Sequence, residues 1–426
     1  MRQGLIAGAI IFLATVASWL ASTSEGDTTF AYRLAQLIGA LALTGFACAL
    51  FITTRSRLLD RLFNGLDKAY VVHKWLGIGS VALAGAHIVT LGASGGEGRG
   101  QAQHGADRPW AHLAGVGGPA LVLFIALALT ALIARRLTYE TWKTIHRFMP
   151  IPYIIGLFHY YGTSSFRPHG VSPFSLWMDI VAVVGISSAV YSEFLYERFG
   201  FPFRYRVTSL RPVATTTWEI TGQPVGRALR HRAGQFAFLK FPPPGTSRRG
   251  RPVFPSHPFT LSAAPSTDSI QFTIKASGDH TRRLPQLLQP GDLFAVSAAH
   301  GAFDYTTGAK NQVWIAGGVG LTPFRSFYSQ PIPDEFTIDF FYTHAGAAGA
   351  YLDELRALDL PNLRVHLIDS AVQGFLTLRH IEDCVKAPVD IYFCGPKPLR
   401  ESFRRQLKTS RLRVVGFHFE HFGFGR

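Results

Sequence analysis

Four histidines have the type and spacing that best support chemistry in this chain: His73 and His87 lie in one apolar stretch, and His146 and His159 lie in another. A titratable group at membrane depth is costly, so such a side chain usually faces the protein interior and has a function. On an ideal helix, the 14-residue step from His73 to His87 rises ~21 Å and returns to nearly the same face. These two rings are therefore expected at two depths along one side of a helix.

A break is expected in the second histidine-bearing segment. The 13-residue step from His146 to His159 rises about 19.5 Å, but an unbroken helix would point the two rings about 140° apart. Pro150 and Pro152 lie between them, and prolines bend or locally unwind a helix. Pairing across the two segments then predicts two stacked sites. The predicted pairs are His73 with His146 and His87 with His159. Two imidazoles at each level suit haem irons closed on both axial faces, an arrangement for passing electrons.

Apolar residues are unevenly distributed along the 426 residues. Hydrophobic residues make up 47% and charged residues 16% of the chain, and nearly all the long apolar runs precede residue 200. Six segments reach membrane-spanning length, at 4–20, 33–53, 70–92, 114–134, 144–162 and 174–196. We interpret the first as a spanning helix rather than a signal peptide, because no small-residue cleavage site fits well. The sequence thus predicts a membrane half of six helices and a soluble half.

Basic residues in the connecting segments indicate the orientation of the membrane half. They concentrate after the second segment and between the fourth and fifth, at Arg55, Arg57, Arg61, Lys68, Lys74, Arg135, Arg136, Lys143 and Arg147. The opposite connections hold Arg33, Arg99, Arg108 and Arg167. We therefore expect a multi-pass protein of the cell inner membrane, with both termini and the soluble half cytoplasmic. His73 and His146 then form the inner pair.

The net charge of +15 divides into +5 for residues 1–200 and +10 for residues 201–426. Such a balance attracts phosphate-bearing partners, but no groove-reading nucleic-acid motif accompanies it. We assign the charge to anionic lipid head groups and a phosphorylated cofactor, and we expect no nucleic-acid partner. The three cysteines, Cys48, Cys384 and Cys394, show no metal-ligand or redox-pair spacing.

From Phe201 onward, short β-type runs separated by Gly and Pro predict a small antiparallel barrel. The segment HPFTLS within it consists of His257, Pro258, Phe259, Thr260, Leu261 and Ser262. A hydroxyl and backbone donors beside an apolar ring can line a flavin. A later segment contains Gly278, Thr281 and Arg282, where a hydroxyl with basic neighbours can hold a pyrophosphate.

From Gln312 onward the pattern becomes strand, loop and helix. The run VWIAGGVGLTPF ends a strand in a glycine-rich turn that opens a helix, whose amide end can meet a phosphate. Strand-like segments FTIDFFYT, LRVHLID and DIYFCG alternate with helical ones. This alternation predicts a doubly wound parallel sheet, with ligands at the carboxyl ends of its strands. Cys394 comes at such an end.

In this order, these features resemble the NADPH oxidase and ferric reductase superfamily over nearly the whole chain. The histidine spacings match its haem-ligand pattern, and HPFTLS and GDHTRRL match its two flavin segments. GGVGLTPF matches its pyridine-nucleotide loop, and CGP matches the segment beside the nicotinamide. Two positions depart from the family. His280 stands where the family usually has Trp, and Leu91 stands where animal superoxide-producing relatives have a histidine.

The resemblance implies three domains: a six-helix all-α transmembrane bundle with two haems at 1–200, an antiparallel β-barrel FAD domain at 201–309, and an α/β doubly wound NAD(P)H-binding domain at 310–426. It implies that the four histidines bind haem iron and that Thr260 and Cys394 act near the isoalloxazine and the nicotinamide. It also implies that an aromatic residue stacks on the flavin, with Phe424 as the choice and Phe422 as the alternative. The implied nucleotide-binding residues are Gly317, Gly318, Gly320, Thr322, Pro323, Cys394, Gly395 and Pro396. The implied cofactors are FAD, two haem b groups, and NADPH or NADH.

The implied activity is electron transfer from cytoplasmic NAD(P)H through FAD and two haems to an external acceptor, with dioxygen giving superoxide as the preferred choice. A ferric chelate or a quinone is the alternative acceptor, and a haem-containing membrane scaffold without turnover is the rival from another class. The lipid bilayer is the expected partner, and no obligatory protein partner is expected. No obvious arginine follows FTIDFFYT to hold a 2′-phosphate, so use of either nucleotide is expected.

Overall fold

The structure is a computed structural model that describes residues 1–22, 29–94, 111–132, 137, 139–163, 171–241, 256–385 and 388–420. The described residues divide into two compact units, one over Met1–Phe199 and the other from Gly200 onward. The first unit is helical, and the second contains two β-sheets with associated helices.

Apolar helices joined by turns build the first unit. Its α-helices are Arg2–Leu20, Phe30–Ile52, Arg57–Phe63, Leu66–Ala93, Gly117–Leu132, Tyr139–His146, Pro150–Thr163, Pro173–Val190 and Tyr196–Phe199. A 3-10 turn covers Ala111–Val116, and a π-helical turn covers Tyr191–Leu195. Five stretches of the described part are long and apolar enough to cross a membrane: Arg2–Leu20, Phe30–Ile52, Leu66–Ala93, His112–Ala131 and Pro173–Phe199.

The predicted spanning segment 144–162 is divided into two shorter helices, so it does not count among the five. The first helix ends at His146, and the next begins at Pro150. Between them the backbone makes tight turns, with the Met149 amide donating to the His146 carbonyl at 3.0 Å. A proline has no amide to continue the helical ladder and fits the first turn of a new helix. The predicted break is therefore confirmed, while the count of six spanning helices is not.

The surface of the helical unit is apolar where a water-soluble protein would be polar. Leu13, Val89 and Val122 are 66%, 74% and 69% exposed, as expected of side chains that face lipid. Polar groups inside the bundle bond to each other, since Trp177 Nε1 donates to Thr15 Oγ1 at 2.9 Å. Such bonds fix helix neighbours where no water is available.

The second unit begins with a six-stranded antiparallel sheet. Its strands are β1 Phe203–Ala214, β2 Thr217–Pro224, β3 Phe236–Lys240, β4 His257–Thr260, β5 Ile270–Lys275 and β6 Leu293–His300. Their order is β4-β3-β6-β1-β2-β5. The sheet curls until its two edges meet at an antiparallel bridge between Leu261 and Phe272. Phe272 and Phe294 are fully buried in the resulting core. The predicted antiparallel FAD-type domain is confirmed as a curled sheet.

A five-stranded parallel sheet follows. Its strands are β7 Asn311–Gly317, β8 Thr337–His344, β9 Leu363–Asp369, β10 Val389–Cys394 and β11 Val414–Phe419, in the order β11-β10-β7-β8-β9. The helices that follow its strands are Thr322–Tyr328, Leu352–Arg356, Leu378–Glu382 and Lys397–Gln406. Two separate apolar cores cover its two faces, one around Trp314 and the other around Phe403. The strand order reverses between β7 and β10, so the switch-point crevice opens at their carboxyl ends.

Candidate functional site

The structure brings the four membrane-depth histidines together in the two predicted pairs. The ring centres of His73 and His146 are 6.1 Å apart with planes at 75°, and those of His87 and His159 are 6.1 Å apart with planes at 76°. His73 and His87 share the unbroken helix Leu66–Ala93, which separates them by ~21 Å along its axis. The helical unit therefore contains two similar histidine pairs at two levels.

The spacing within each pair fits a metal ion between the rings. Imidazole nitrogen binds a metal at roughly 2.0 Å, so two opposed imidazoles around one ion have ring centres about 6 Å apart. No group of three or more His, Cys, Asp or Glu side chains comes together among the described residues. Each pair could thus supply two ligands to one metal ion, which would suit a metal whose remaining positions are filled by a macrocycle.

Backbone carbonyls orient three of the four rings. The Nδ1 atoms bond to Ala49 O from His73 at 2.9 Å, to Ala35 O from His87 at 2.8 Å and to Ala114 O from His159 at 2.7 Å. When Nδ1 donates to a carbonyl, the proton is fixed there and Nε2 is left unprotonated as the ligand. These three histidines are held in the tautomer that binds a metal through Nε2.

Glycines leave room for the rings of His87 and His159. A Cβ placed at Gly117 would lie 2.6 Å from His159 Nδ1, and one placed at Gly39 would lie 3.1 Å from His87 Nδ1. Both distances are too short for a side chain without movement of the ring. The small residues therefore set how closely these imidazoles approach the neighbouring helices.

The segment HPFTLS lies on β4 and its exit, at the edge of the curled sheet. Thr260 is buried, and its Oγ1 makes no hydrogen bond within the described part of the chain. A buried hydroxyl without a partner is costly and is rare in folded proteins. This orphaned hydroxyl fits a bound group that supplies a hydrogen-bonding atom here, such as the ring edge of a flavin.

The segment with Gly278 and Thr281 opens the helix Asp279–Leu287 instead of forming a plain turn. Thr281 Oγ1 accepts hydrogen bonds from the amides of Ser277 and Gly278, at 3.1 and 3.0 Å. Its hydroxyl therefore caps the helix N-terminus, while Arg282 is exposed. The structure supplies a physical role for Thr281 in the chain itself, and a pyrophosphate contact stays a prediction.

The glycine-rich loop and the CGP segment touch each other, although they are far apart in sequence. β7 and β10 are neighbours, with Ala316 paired to Cys394. A Cβ at Gly320 would lie 2.2 Å from the Cys394 carbonyl oxygen, and one at Gly317 would lie 2.8 Å from Pro396. Only residues without side chains permit this contact. The two predicted nucleotide segments form one wall at the switch point.

Cys394 is fully buried at the carboxyl end of β10. Burial raises the pKa of its thiol, and the Glu420 carboxylate raises it further. The residue is thus a neutral thiol at physiological pH, not a nucleophilic thiolate. At the crevice, this side chain can therefore act as a small, uncharged and polarisable surface that a ligand packs against.

Arg325, which the sequence reasoning missed, joins the two sheets of the second unit. It follows the glycine-rich loop and bonds to Glu354 at 3.0 Å. Its Nη1 donates to the Ser262 carbonyl at 2.9 Å and to Gln271 Oε1 at 3.0 Å, and it lies 3.6 Å from Glu219. Its side chain is 11% exposed. In the sequence, this role was indicated only by the position of Arg325, a cation directly after the apolar run LTPF.

Two further contacts reinforce this link. Ser326 Oγ accepts a hydrogen bond from the Gly234 amide at 2.8 Å. Tyr351 Oη donates to Glu219 Oε2 at 2.8 Å and lies 2.7 Å from Thr273 Oγ1. We call the contacts of Arg325, Ser326 and Tyr351 with the antiparallel sheet the sheet clamp. The sheet clamp fixes the glycine-rich loop relative to the exit of β4.

Phe424 and the alternative Phe422 lie outside the described residues. The last described strand, β11, ends at Phe419 and is followed by buried Glu420. Phe417 and Phe419 pack against the second core of the parallel sheet. The predicted stacking of Phe424 on a flavin stays a prediction.

The chain thus combines an apolar helical unit with a curled antiparallel sheet and a parallel α/β sheet. Two family models match the chain: the ferric reductase like transmembrane component over residues 38–157 and an FAD-binding domain over residues 203–309. Together with the α/β domain, these two domains match the architecture of the NADPH oxidase and ferric reductase superfamily, and domains of both kinds occur in oxidoreductases.

Individual relatives are distant. The chain is 24% identical over 189 residues to flavohemoprotein B of Dictyostelium discoideum, covering 39% of this chain and 45% of the relative. It is 27% identical over 173 residues to the carnitine monooxygenase reductase subunit of Escherichia coli K12, covering 39% of this chain and 53% of that relative. The chain spans about half the length of these curated relatives. The flavohaem-like FAD/NAD-binding domain of Vibrio cholerae nitric oxide dioxygenase matches with 18% identity and a TM-score of 0.43, over 52% of this chain and 99% of that domain.

Substitution of Gly117 by Ala should remove one haem. The added methyl group would displace His159, so the haem content of the purified protein should fall from two per chain to about one. The neighbouring Gly118→Ala is the matched control, because nothing lies within 4 Å of a Cβ there. Haem content is measured by pyridine haemochrome absorbance against protein concentration. Two haems per chain in Gly117→Ala would contradict the assignment of His159.

Replacement of Thr260 by Val should weaken flavin binding without lowering the stability of the flavin-free protein. The variant keeps the β-branched shape but removes an unpaired buried hydroxyl, so the flavin-free protein should be as stable or up to about 1 kcal/mol more stable. FAD affinity should fall by roughly tenfold, since one hydrogen bond is lost. The measurements are thermal unfolding without FAD and FAD titration by fluorescence. Exposed Thr267→Val is the control, and unchanged FAD affinity in Thr260→Val would refute the contact.

Arg325→Gln should slow hydride transfer more than it weakens nucleotide binding. Loss of the cation loosens the glycine-rich loop, and a misplaced reactant lowers rate by roughly ten- to a hundredfold. Stopped-flow absorbance gives the limiting rate of flavin reduction and the apparent nucleotide affinity separately. Arg356→Gln removes an exposed arginine, 61% exposed and paired to Asp353, and should behave as wild type. A normal limiting rate in Arg325→Gln would show that the sheet clamp is only structural.

Proposed function

We propose that this chain carries electrons across a membrane, from cytoplasmic NAD(P)H through FAD and two bis-histidine haem b groups to an external acceptor, with dioxygen reduced to superoxide as the preferred reaction. The single observation that carries the proposal is the presence of two histidine pairs, each with ring centres 6.1 Å apart, in a chain that also holds flavin and nucleotide segments. A scaffold that only bound haem would not need those segments.

The helical unit supports the membrane part of this proposal. Both pairs use one histidine from the helix Leu66–Ala93 and one from either side of the break at Pro150. Their separation of ~21 Å along the helix covers most of a hydrocarbon core of about 30 Å. Two ligated metals at these levels divide the crossing into short steps, and the histidines hold them there.

The second unit supports the dehydrogenase part. FAD, when bound, accepts a hydride from a nicotinamide and releases electrons one at a time. Thr260 offers its hydroxyl to the flavin, the wall of Gly317, Gly320 and Cys394 approaches the nicotinamide closely, and Arg325 holds the two in register. The buried neutral thiol of Cys394 adds no charge next to the nicotinamide.

Connectivity and charge support the proposed placement. The second unit begins at Gly200, directly after the helical unit in the chain. The excess of basic residues after the second apolar segment and between the fourth and fifth supports a cytoplasmic soluble half. We propose domain boundaries of 1–200, 201–309 and 310–426, with the protein in the cell inner membrane.

An anaerobic absorbance spectrum of the purified, FAD-supplemented protein tests the proposal. Addition of NADH or NADPH should produce the reduced bands of low-spin haem b without any other protein. Dithionite provides full reduction as the reference, and a His73→Ala, His87→Ala double variant that retains FAD is the control for haem-independent signals. Haem that dithionite reduces but neither nucleotide reduces would favour the membrane scaffold.

Admission of air or other acceptors to the reduced protein then distinguishes the acceptors. Superoxide formation, measured as dismutase-sensitive cytochrome c reduction, should match the rate of haem reoxidation. Rapid reduction of a ferric chelate or a quinone with little superoxide would replace dioxygen by that acceptor.

A further inference from the structure

We infer that this chain selects NADH over NADPH and that Asp369, at the carboxyl end of β9, is the residue that determines this preference. The inference deepens the proposed function, because it names the electron donor of the same crevice.

The parallel register places Asp369 on the edge where a dinucleotide would extend. Along the carboxyl ends of the strands, Cys394 neighbours Ala316 and Gly317, Gly317 pairs with Thr343, and His344 pairs with Asp369. Adjacent strands are about 4.8 Å apart, so β9 is roughly 14 Å from β10. A dinucleotide with its nicotinamide at Cys394 therefore reaches β9 with its adenosine half.

Asp369 is locked in place by the backbone around it. Its Oδ1 accepts hydrogen bonds from the amides of Gly346 and Ala371, at 2.9 and 3.0 Å. The Ser370 amide and hydroxyl both donate to the His344 carbonyl at 2.8 Å. These bonds join the loops after β8 and β9 into one rim. Oδ2 makes no hydrogen bond among the described residues and can accept one from a ribose hydroxyl.

The charge of this rim opposes a 2′-phosphate. The two amide hydrogen bonds lower the pKa of Asp369, so its carboxyl is ionised at neutral pH. The segments 343–355 and 365–378, which follow or end these strands, contain no Lys or Arg. A 2′-phosphate would meet a fixed carboxylate here, whereas a 2′-hydroxyl would donate a hydrogen bond to it.

Apolar side chains on the same loop fit the adenine. Val372 and Phe375 are 82% and 83% exposed, and the Val372 and Gln373 amides turn back to the Asp369 carbonyl at 3.1 and 2.8 Å. A flat aromatic base is a suitable partner for such an exposed ring. Since both nucleotides carry adenine, this contact contributes affinity without discrimination.

Calorimetric titration of the full-length, FAD-loaded protein with NAD⁺ and with NADP⁺ tests the inference independently of turnover. Wild type should bind NAD⁺ at least about tenfold more tightly, and Asp369→Asn should shrink that ratio about tenfold by improving NADP⁺ binding. Phe375→Ala should weaken both nucleotides equally. Asp353→Asn is the matched control, because that carboxylate is 99% exposed on the helix Leu352–Arg356. The ratio of NAD⁺ to NADP⁺ affinity in this variant should equal that of the wild type.

Tighter binding of NADP⁺ by wild type, or an unchanged ratio in correctly folded Asp369→Asn, would overturn the inference. Unfolding temperature and FAD content establish correct folding, and Asp369→Ser supplies a second uncharged variant if the first is unstable. Failure of the proposed function is a separate result: nucleotides would bind with the expected ratio, yet no haem reduction would follow.

Discussion

The bond between a histidine Nδ1 and a backbone carbonyl is the interaction on which the rest of the helical unit depends. In an apolar interior, an imidazole with an unpaired N–H is costly, and His73, His87 and His159 avoid that cost through carbonyls of neighbouring segments. The bond also leaves Nε2 without a proton. The same contact that makes a polar ring tolerable in an apolar interior thus leaves one nitrogen of that ring able to act as a metal ligand.

The second unit meets a different constraint, because its two sheets must hold two ligands in contact. A buried cation needs carboxylates and carbonyls around it. Arg325 contacts Glu219 of β2, the Ser262 carbonyl after β4, and Glu354 of the helix Leu352–Arg356. Tyr351 reaches the same place from a left-handed backbone conformation with φ of 57°, which is unusual for a residue with a side chain. The sheet clamp therefore adds charged and polar contacts to the apolar packing of Val213, Ala214 and Ala233 against the first core of the parallel sheet.

Much of this arrangement was accessible from the sequence. The lengths of the hydrophobic runs predicted the helical unit, and the patterns of short β-type runs and of alternating strands and helices predicted the two sheets. The positions of Pro150 and Pro152 predicted the break between the two helices that carry His146 and His159. The count of six spanning helices is not confirmed, since that break divides the fifth segment into two short helices in the described part of the chain. The hydroxyl of Thr281 caps a helix, because a Ser or Thr near a chain turn competes for local amides. Its expected contact with a phosphate stays a prediction.

The sequence by itself determined the order of the elements, the spacing of the histidines along their helices and the position of the glycine-rich turn, because periodicity, proline geometry and glycine-rich turns act over a few neighbouring residues. The tertiary structure alone decided which groups meet. The carbonyls of Ala35, Ala49 and Ala114 are chemically the same as any other carbonyl, so no residue type marks them. The partners of Arg325 and the rim at Asp369 likewise come from segments distant in the chain, and only folding brings such segments within hydrogen-bond distance.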